Sequence, residues 1–301
     1  FTEKGRCYWM RAFEVPEGEK NAKGRPLLNM INIEPDDKVK AYVNVKNLTD
    51  ADYLSNHYIV MCTKHGIVKK TTLEAYSRPR TNGIIAVGIR EGDELVNACL
   101  TDGKCELLLA SKQGKVMRCD EEEFREMGRG ASGNKGMPLE PENDAVIGMI
   151  ASNDENQDVL VVSETGFGKR SSLSEYRKTH RGGKGVKTIN ITEKTGKLIS
   201  IRNVNDENDL VIINKSGIIL RLRVNSLRVM GRATQGVRLI NLERKNDEIA
   251  SVCKVDTEPE ATDEQSVEHA FDEVPAVENE NDNNNDNNAS ESVDENENNE
   301  Q

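Results

Sequence analysis

Five short stretches bring Lys or Arg together with glycine and other small residues. They are EKNAKG ending at Gly24, SRPRTNG at Gly83, GRGASGNKG at Gly136, THRGGKG at Gly185 and GRATQG at Gly236. The chemistry such stretches can do is phosphate binding. The cations neutralise phosphate charge, and Gly and Ser let backbone N–H groups come close to an anion. A single basic residue on a loop is ordinarily a solvated side chain, but five such loops at one structural address would line a rim with a basic stripe. A curved stripe suits the phosphates of a bent duplex, where affinity comes from neutralised charge and released counterions rather than from base reading. The residues expected to meet phosphate are Lys20, Lys23, Arg25, Arg78, Arg80, Arg129, Lys135, Arg177, Lys178, Arg181, Lys184, Lys187, Arg232 and Arg238. The turn glycines that shape the loops are Gly24, Gly83, Gly136, Gly182, Gly183, Gly185 and Gly236.

Other chemistries find less support. RGGKGVKT looks superficially like the phosphate loop GxxxxGK[ST], but Val186 stands where glycine is needed, and the segment lies between strands rather than opening a helix. No grouping of Ser, His and Asp and no carboxylate pair recurs, so no catalytic residue is assigned. The six cysteines form no CxxC pair and no histidine lies at metal-ligand spacing, so neither a metal nor a cofactor is expected within these residues. Reduced thiols in a cytoplasmic protein are the expected state. No apolar run approaches the roughly 18 residues a membrane span needs, so no membrane partner is expected.

The loops are positioned by a repeat. Apolar runs at 58–62, 107–110, 159–162 and 210–213 each lead into a polar turn closed by glycine: TKHG at Gly66, SKQG at Gly114, SETG at Gly166 and NKSG at Gly217. TEKG at Gly5 adds a fifth copy, and these glycines stand 61, 48, 52 and 51 positions apart. Such a turn between β-prone runs is a hairpin signal. The second hairpin strand ends in basic residues, Lys69 and Lys70, Arg118, Lys169 and Arg170, and Arg221; in the first copy it carries Trp9, expected to pack in the sheet. An apolar anchor follows (Phe13, Leu73, Phe124, Leu173, Leu227), then the basic loop, a third strand, a charged turn and a fourth apolar strand such as 39–45 or 198–204. Four strands per repeat of about 50 residues is the arithmetic of a propeller blade. The expected boundaries of the repeats are 1–57, 58–106, 107–158, 159–209 and 210–255.

The net charge of −11 would suggest repulsion from nucleic acid, but its distribution says otherwise. Residues 256–301 hold 17 acidic residues and no Lys or Arg, which leaves 1–255 with all 41 basic residues against 35 acidic ones. The tail, rich in Asn, Asp and Glu, cannot bury enough apolar surface to fold and is expected to be disordered. Its charge suggests competition with a polyanion for the basic rim.

GRCYWMRAFEVPE, AKGRPLLNMINIEP, SRPRTNGIIAVGIREGDELV, GFGKRSSLSEYRKTHRGGKGVKTINI and MGRATQGVRLINL, taken in order, resemble the C-terminal domain of the bacterial DNA gyrase A subunit, over residues 1–255. The resemblance implies an all-β, six-bladed β-pinwheel, a propeller variant with strand exchange between blades. It further implies that the basic rim wraps duplex DNA so that an ATP-hydrolysing type IIA topoisomerase introduces negative supercoils. The implied partners are duplex DNA, the remainder of the gyrase A polypeptide, and the gyrase B polypeptide in an A2B2 heterotetramer. ATP and magnesium would be used by the holoenzyme, and the implied location is cytoplasmic and nucleoid-associated. The family's hallmark box, QRRGGKG, is matched at Arg181, Gly182, Gly183, Lys184 and Gly185, but in the fourth visible repeat rather than in the first blade. The true box is therefore expected upstream of Phe1, as is the breakage-reunion domain with its catalytic tyrosine, and the first blade is expected to be incomplete. Two alternatives stand beside this one: the related C-terminal domain of the topoisomerase IV A-type polypeptide, whose repeats are often fewer and less regular, and a kelch-like interaction propeller, which fits the period but not the basic loops.

Overall fold

A computed structural model describes residues 1–18, 24–140, 142–242 and 247–257. The acidic tail, apart from its first two residues, lies outside that range. The strands in chain order are β1 (Arg6–Cys7), β2 (Tyr58–Thr63), β3 (Ile67–Thr72), β4 (Ile84–Ile85), β5 (Leu95–Thr101) and β6 (Glu106–Ser111). They continue with β7 (Lys115–Asp120), β8 (Asn134–Lys135), β9 (Val146–Ser152), β10 (Asp158–Ser163), β11 (Phe167–Ser172) and β12 (Val186–Lys187). The last are β13 (Leu198–Val204), β14 (Asn208–Asn214), β15 (Ile219–Arg223), β16 (Val237–Arg238) and β17 (Ile249–Asp256). One five-residue helix, α1 (Ala51–Ser55), is capped at its N-terminus by Asp50.

The polar turns close antiparallel hairpins, β2 with β3, β6 with β7, β10 with β11 and β14 with β15. The longer strands β5, β9, β13 and β17 flank them on one side. On the other side the sheets are completed by exchange: β4, β8, β12 and β16 pair not with their own repeat's hairpin but with that of the repeat before. The third strand read from sequence is therefore two residues long and belongs to the neighbouring blade. Orders β5-β2-β3-β8, β12-β7-β6-β9 and β13-β10-β11-β16 are four-stranded, β15-β14-β17 is three-stranded, and β1 with β4 forms a two-stranded sheet.

Six blades are thus corrected to four among the described residues, plus the two-stranded sheet of the first repeat. The strand expected at 39–45 does not form; Val39 makes a single bridge to Thr2, and the segment instead bonds to Phe1. β15 lacks a fourth strand, and its Ile219 is 65% exposed.

β2, β6 and β10 are apolar on both faces because their blades lie between two others, whereas β14 of the last blade buries Leu210 and Ile212 in a core on one face. Ile59 and Met61 face one core while Val60 and Cys62 face the next. Leu107 and Leu109 alternate in the same way with Leu108 and Ala110, as do Val159 and Val161 with Leu160 and Val162. Four such cores string the blades together, and fully burying each aliphatic side chain is worth about 1.5–3 kcal/mol. Trp9 is half-buried against the first core and donates its indole N–H to the Tyr76 carbonyl at 3.1 Å.

The anchor positions need correction. Leu73, Phe124 and Leu173 are buried, but Phe13 is 78% exposed, and in the last repeat Val224 rather than Leu227 is the buried residue. There are two anchor sites, seven and ten residues past the turn glycine, and in the third repeat the first of them holds Glu121.

The hairpin turn requires glycine. Gly66 has φ 79° and donates to the Thr63 carbonyl at 3.0 Å, and a Cβ there would sit 2.5 Å from the Met137 carbonyl oxygen. Asp93 pins the same turn by accepting from the His65 N–H and the Thr63 hydroxyl. Gly66→Ala should therefore lower the unfolding free energy by more than the about 1–2 kcal/mol that a left-handed backbone costs an L-residue. Gly92→Ala, at φ 74° but with open space around it, should lose only that backbone cost. Equal losses in chemical denaturation would contradict the close packing of the turn.

Candidate nucleic-acid interface

The basic loops run along the outer edge of the preceding blade. Each leaves the short 3₁₀ turn after its own hairpin and crosses to the neighbour's second strand. There the crossing is fixed by one repeated bond: Met127 N–H to the Lys70 carbonyl at 2.9 Å, Thr179 to Arg118 at 2.8 Å, and Met230 to Arg170 at 2.9 Å. The loop then meets a glycine at the start of the exchanged strand. At Gly185, φ is 71° and a Cβ would lie 2.7 Å from the Val116 carbonyl oxygen, so any side chain would push β12 off its partner. In the third repeat the glycine with this role is Gly133, which comes 2.6 Å from the Val68 carbonyl by the same measure; Gly136 follows the exchanged strand. The sequence register at that loop is corrected by three residues, and the spacing from Gly114 becomes the same 19 residues as in the next two repeats.

Successive loops are bonded to one another. Gly88 donates to Ala131 at 3.1 Å, Gly182 to Gly136 at 2.5 Å and Asn190 to Thr234 at 3.4 Å, all through the backbone. The Arg232 guanidinium donates to the Lys187 carbonyl at 2.9 Å. The basic segments of the second to fifth repeats thus form one continuous run along the blade edges.

Two carboxylates frame the later loops. Glu123 accepts from the Arg181 N–H at 2.6 Å and pairs with His180 at 3.0 Å; Glu175 accepts from the Arg232 N–H at 2.6 Å. Sequence reading passed over both, although each stands nine residues after its repeat's turn glycine. The basic residues that end the second hairpin strands serve the fold: Lys70 pairs with Glu121 at 3.1 Å, Arg118 with Glu106 at 2.5 Å, Arg170 with Asp206 at 2.6 Å and Arg221 with Asp209 at 2.7 Å.

Of the residues expected to contact phosphate, Lys20 and Lys23 lie outside the described residues. Arg25, Arg78, Arg80, Lys135, Arg177, Arg181, Lys184, Lys187 and Arg238 are exposed, and Arg129 and Arg232 are half-buried. Among the described residues, Arg78, Arg80, Lys135, Arg177, Arg181, Lys184 and Lys187 have no carboxylate within ion-pair distance. Arg238 stacks over the Phe167 ring at 5.3 Å. Lys178 differs: its ammonium is bound by Glu106 at 2.6 Å and Asp120 at 2.8 Å, with Asp120 the stronger influence in pushing its pKa up to about 12.

Other chemistry is internally committed. Asp102, Cys105 and Glu121 bring ligand-type atoms within 4.8 Å of one another. Glu121 already accepts from Thr101 at 2.7 Å and pairs with Lys70, while Asp102 accepts from Asn153 at 2.8 Å and from the Lys104 N–H at 3.0 Å. Burial pushes the Cys7, Cys62, Cys105 and Cys119 thiols up to about 12 and raises that of Cys99 as well, which makes them poor nucleophiles. Only Cys253 is exposed. Titration with an aromatic disulfide near neutral pH should find one fast thiol, lost in Cys253→Ser, and five more on unfolding; several fast thiols would contradict this packing.

Comparison with known proteins agrees with the geometry. The family model described as the DNA gyrase C-terminal domain, beta-propeller, matches residues 1–41, 57–98, 106–153, 157–205 and 208–254. The chain is 41% identical over 259 residues to the DNA gyrase A polypeptide of Staphylococcus epidermidis, covering 86% of this chain and 28% of that protein. It is 40% identical over 257 residues to the corresponding polypeptide of Chlamydia pneumoniae, covering 85% of this chain and 30% of the relative. The chain thus spans less than a third of the length of the curated relatives it matches. Among solved structures, the C-terminal domain of DNA topoisomerase IV superposes with a TM-score of 0.75 at 25% identity, over 85% of this chain and 78% of that one. A DNA gyrase A C-terminal domain shares the fold with a TM-score of 0.72 at 23% identity, over 84% of this chain and 80% of that one.

Proposed function

Because the chain belongs to the DNA gyrase C-terminal domain family, we propose that its run of basic loops binds duplex DNA by the phosphates and bends it around the blade edges. The observation that carries this reading is the continuity of that run. Cations without carboxylate partners among the described residues, Arg78 and Arg80, Lys135, then Arg177, Arg181, Lys184 and Lys187, sit on loops bonded to their neighbours. A duplex laid along them would meet a new cluster at each blade, and none of the described loops offers a helix or ribbon for a groove, so the readout is of charge and shape. Membership of this family also disfavours the kelch-like alternative.

In the parent enzyme the bent duplex would present a crossing segment to the strand-passage machinery, and ATP hydrolysis with magnesium elsewhere in an assembly of two A and two B polypeptides would drive negative supercoiling. The setting would be the bacterial cytoplasm, at the nucleoid. None of the described helices is long and apolar enough to cross a membrane. The acidic tail, outside the described residues, would compete with DNA for the rim at low salt.

Binding of linear duplex should weaken steeply with salt, as counterion release requires. Lys184→Ala should flatten the slope of log affinity against log salt by about one unit whatever the DNA sequence. Lys178→Ala should change it much less, since that charge is already neutralised. A salt-independent affinity would contradict the reading, as would a larger effect at Lys178 than at Lys184.

A further inference from the structure

Two lysines lie where an apolar side chain would be expected. Lys69 and Lys169 are each 1% exposed, at the third position after the turn glycines Gly66 and Gly166, in the middle of β3 and β11. Their cross-strand partners, Met61 and Val161, are apolar and buried. An ammonium is costly to hold there unless its hydrogen bonds are made. Lys169 makes them to the loop of the following repeat, and Lys69 makes one to that loop and one within its own repeat, just past β4. Lys69 Nζ donates to the Ala86 carbonyl at 2.5 Å and to the Arg129 carbonyl; Lys169 Nζ donates to the Gly231 carbonyl at 2.6 Å and the Thr234 hydroxyl at 3.2 Å.

Arg129 and Arg232 are the residues carried by those loops, and the lysines touch the main chain at or beside them. The middle blade does without the device. At the equivalent position it has Met117, fully buried and paired with Leu109 in the same register, and the loop it faces is framed by Glu123 on the Arg181 N–H alone, whereas the loop above Lys169 has both Glu175 and the lysine.

We propose that Lys69 and Lys169 are positioning residues for the DNA-facing loops, each holding a loop from behind through its carbonyls without itself reaching the DNA. The inference rests on the DNA-binding reading of the rim. It gives the buried charge a purpose, because a neutral side chain would fill the space but would leave the loop carbonyls beside Arg129 and Arg232 without their donor.

The groups facing Lys69 are few, the Arg129 guanidinium being the charged one; Lys169 faces Glu175, which favours its charge, and Arg232, which opposes it. Burial, the largest influence, lowers both ammonium groups to about 8. The lysines are therefore charged at neutral pH and lose charge as pH rises through about 8, well below the unfolded value of about 10.4. Neutralisation weakens the hold on the loops. It also relieves the cost of burial: above about pH 8 the unfolded chain binds more protons than the folded one, so the contribution of these lysines to stability rises with pH. Affinity for DNA and stability should thus move in opposite directions over this interval, which a purely structural role would not produce.

The test uses the whole chain and a linear duplex at low salt. Wild type should lose about fivefold in affinity between about pH 7 and about pH 9, on the scale of a weakened charge-assisted hydrogen bond. Lys69→Met and Lys169→Met, substitutions the fold accepts at Met117, should each bind about fivefold more weakly at pH 7. The double variant should show a flat pH profile. Wild type that binds DNA while both variants match it in affinity and pH profile would overturn this inference alone. Wild type that fails to bind would overturn the DNA-binding reading and this one with it. Should a variant fail to fold, the wild-type profile decides: a fall in affinity without a fall in thermal midpoint supports the inference, and a flat profile overturns it.

Discussion

The structure depends on the exchange of a two-residue strand between neighbouring repeats. Val186 and Lys187 pair with Val116 and Lys115, and Asn134 and Lys135 pair with Val68 and Ile67. So short a pairing is weak as a ladder, and it holds because a glycine at its entrance lets two backbones come together and because the cores on either side are closed over it. The loop carrying the cations is the segment that makes the exchange. Blade cohesion and the basic run therefore have one cause, and a loop cannot shift without loosening the sheet it completes.

That coupling explains why so much charge inside the blades is spent on structure. Lys70, Arg118, Arg170 and Arg221 recur at one position with a carboxylate nearby, and Arg118 also donates to the carbonyls of Leu173 and Tyr176 in the next repeat. The Lys70–Glu121 pair and the Arg118 bonds to the Leu173 and Tyr176 carbonyls tie one hairpin to the turn that launches the next loop, while the other pairs brace the strands of a single blade. For Lys70–Glu121 and Arg118–Glu106, removing one partner would leave a largely buried charge unpaired, which costs far more than a surface ion pair gains. Arg78, Arg80, Lys135, Arg177, Arg181, Lys184 and Lys187 stand apart from this network, and it is their lack of carboxylate partners among the described residues, rather than their number, that suits them to phosphate.

Much of this was legible in the residues. The turn glycines announced the hairpins, and the apolar runs at 58–62 and 159–162 announced the strands that lead into them. What could not be read was which partner each short strand would choose, because two residues carry no periodicity and the choice is made by tertiary packing. The same limit misplaced the loop glycine of the third repeat at Gly136, since GNKG offers two glycines and only the approach to Val68 selects Gly133. Lys69 and Lys178 show the limit at the site itself. Both are basic residues beside a basic loop, yet one is buried beneath that loop and the other is held by two carboxylates.

The central claim is that the run of loops bends a duplex around the blades rather than merely attracting it. The most direct measurement is to bind the chain to closed circular DNA, relax the complex with a nicking-closing enzyme, remove the protein and read the distribution of linking numbers. The account predicts a shift from the protein-free distribution that grows with bound protein and is abolished when Arg181, Lys184 and Lys187 are replaced together. An unshifted distribution at saturating occupancy would contradict it.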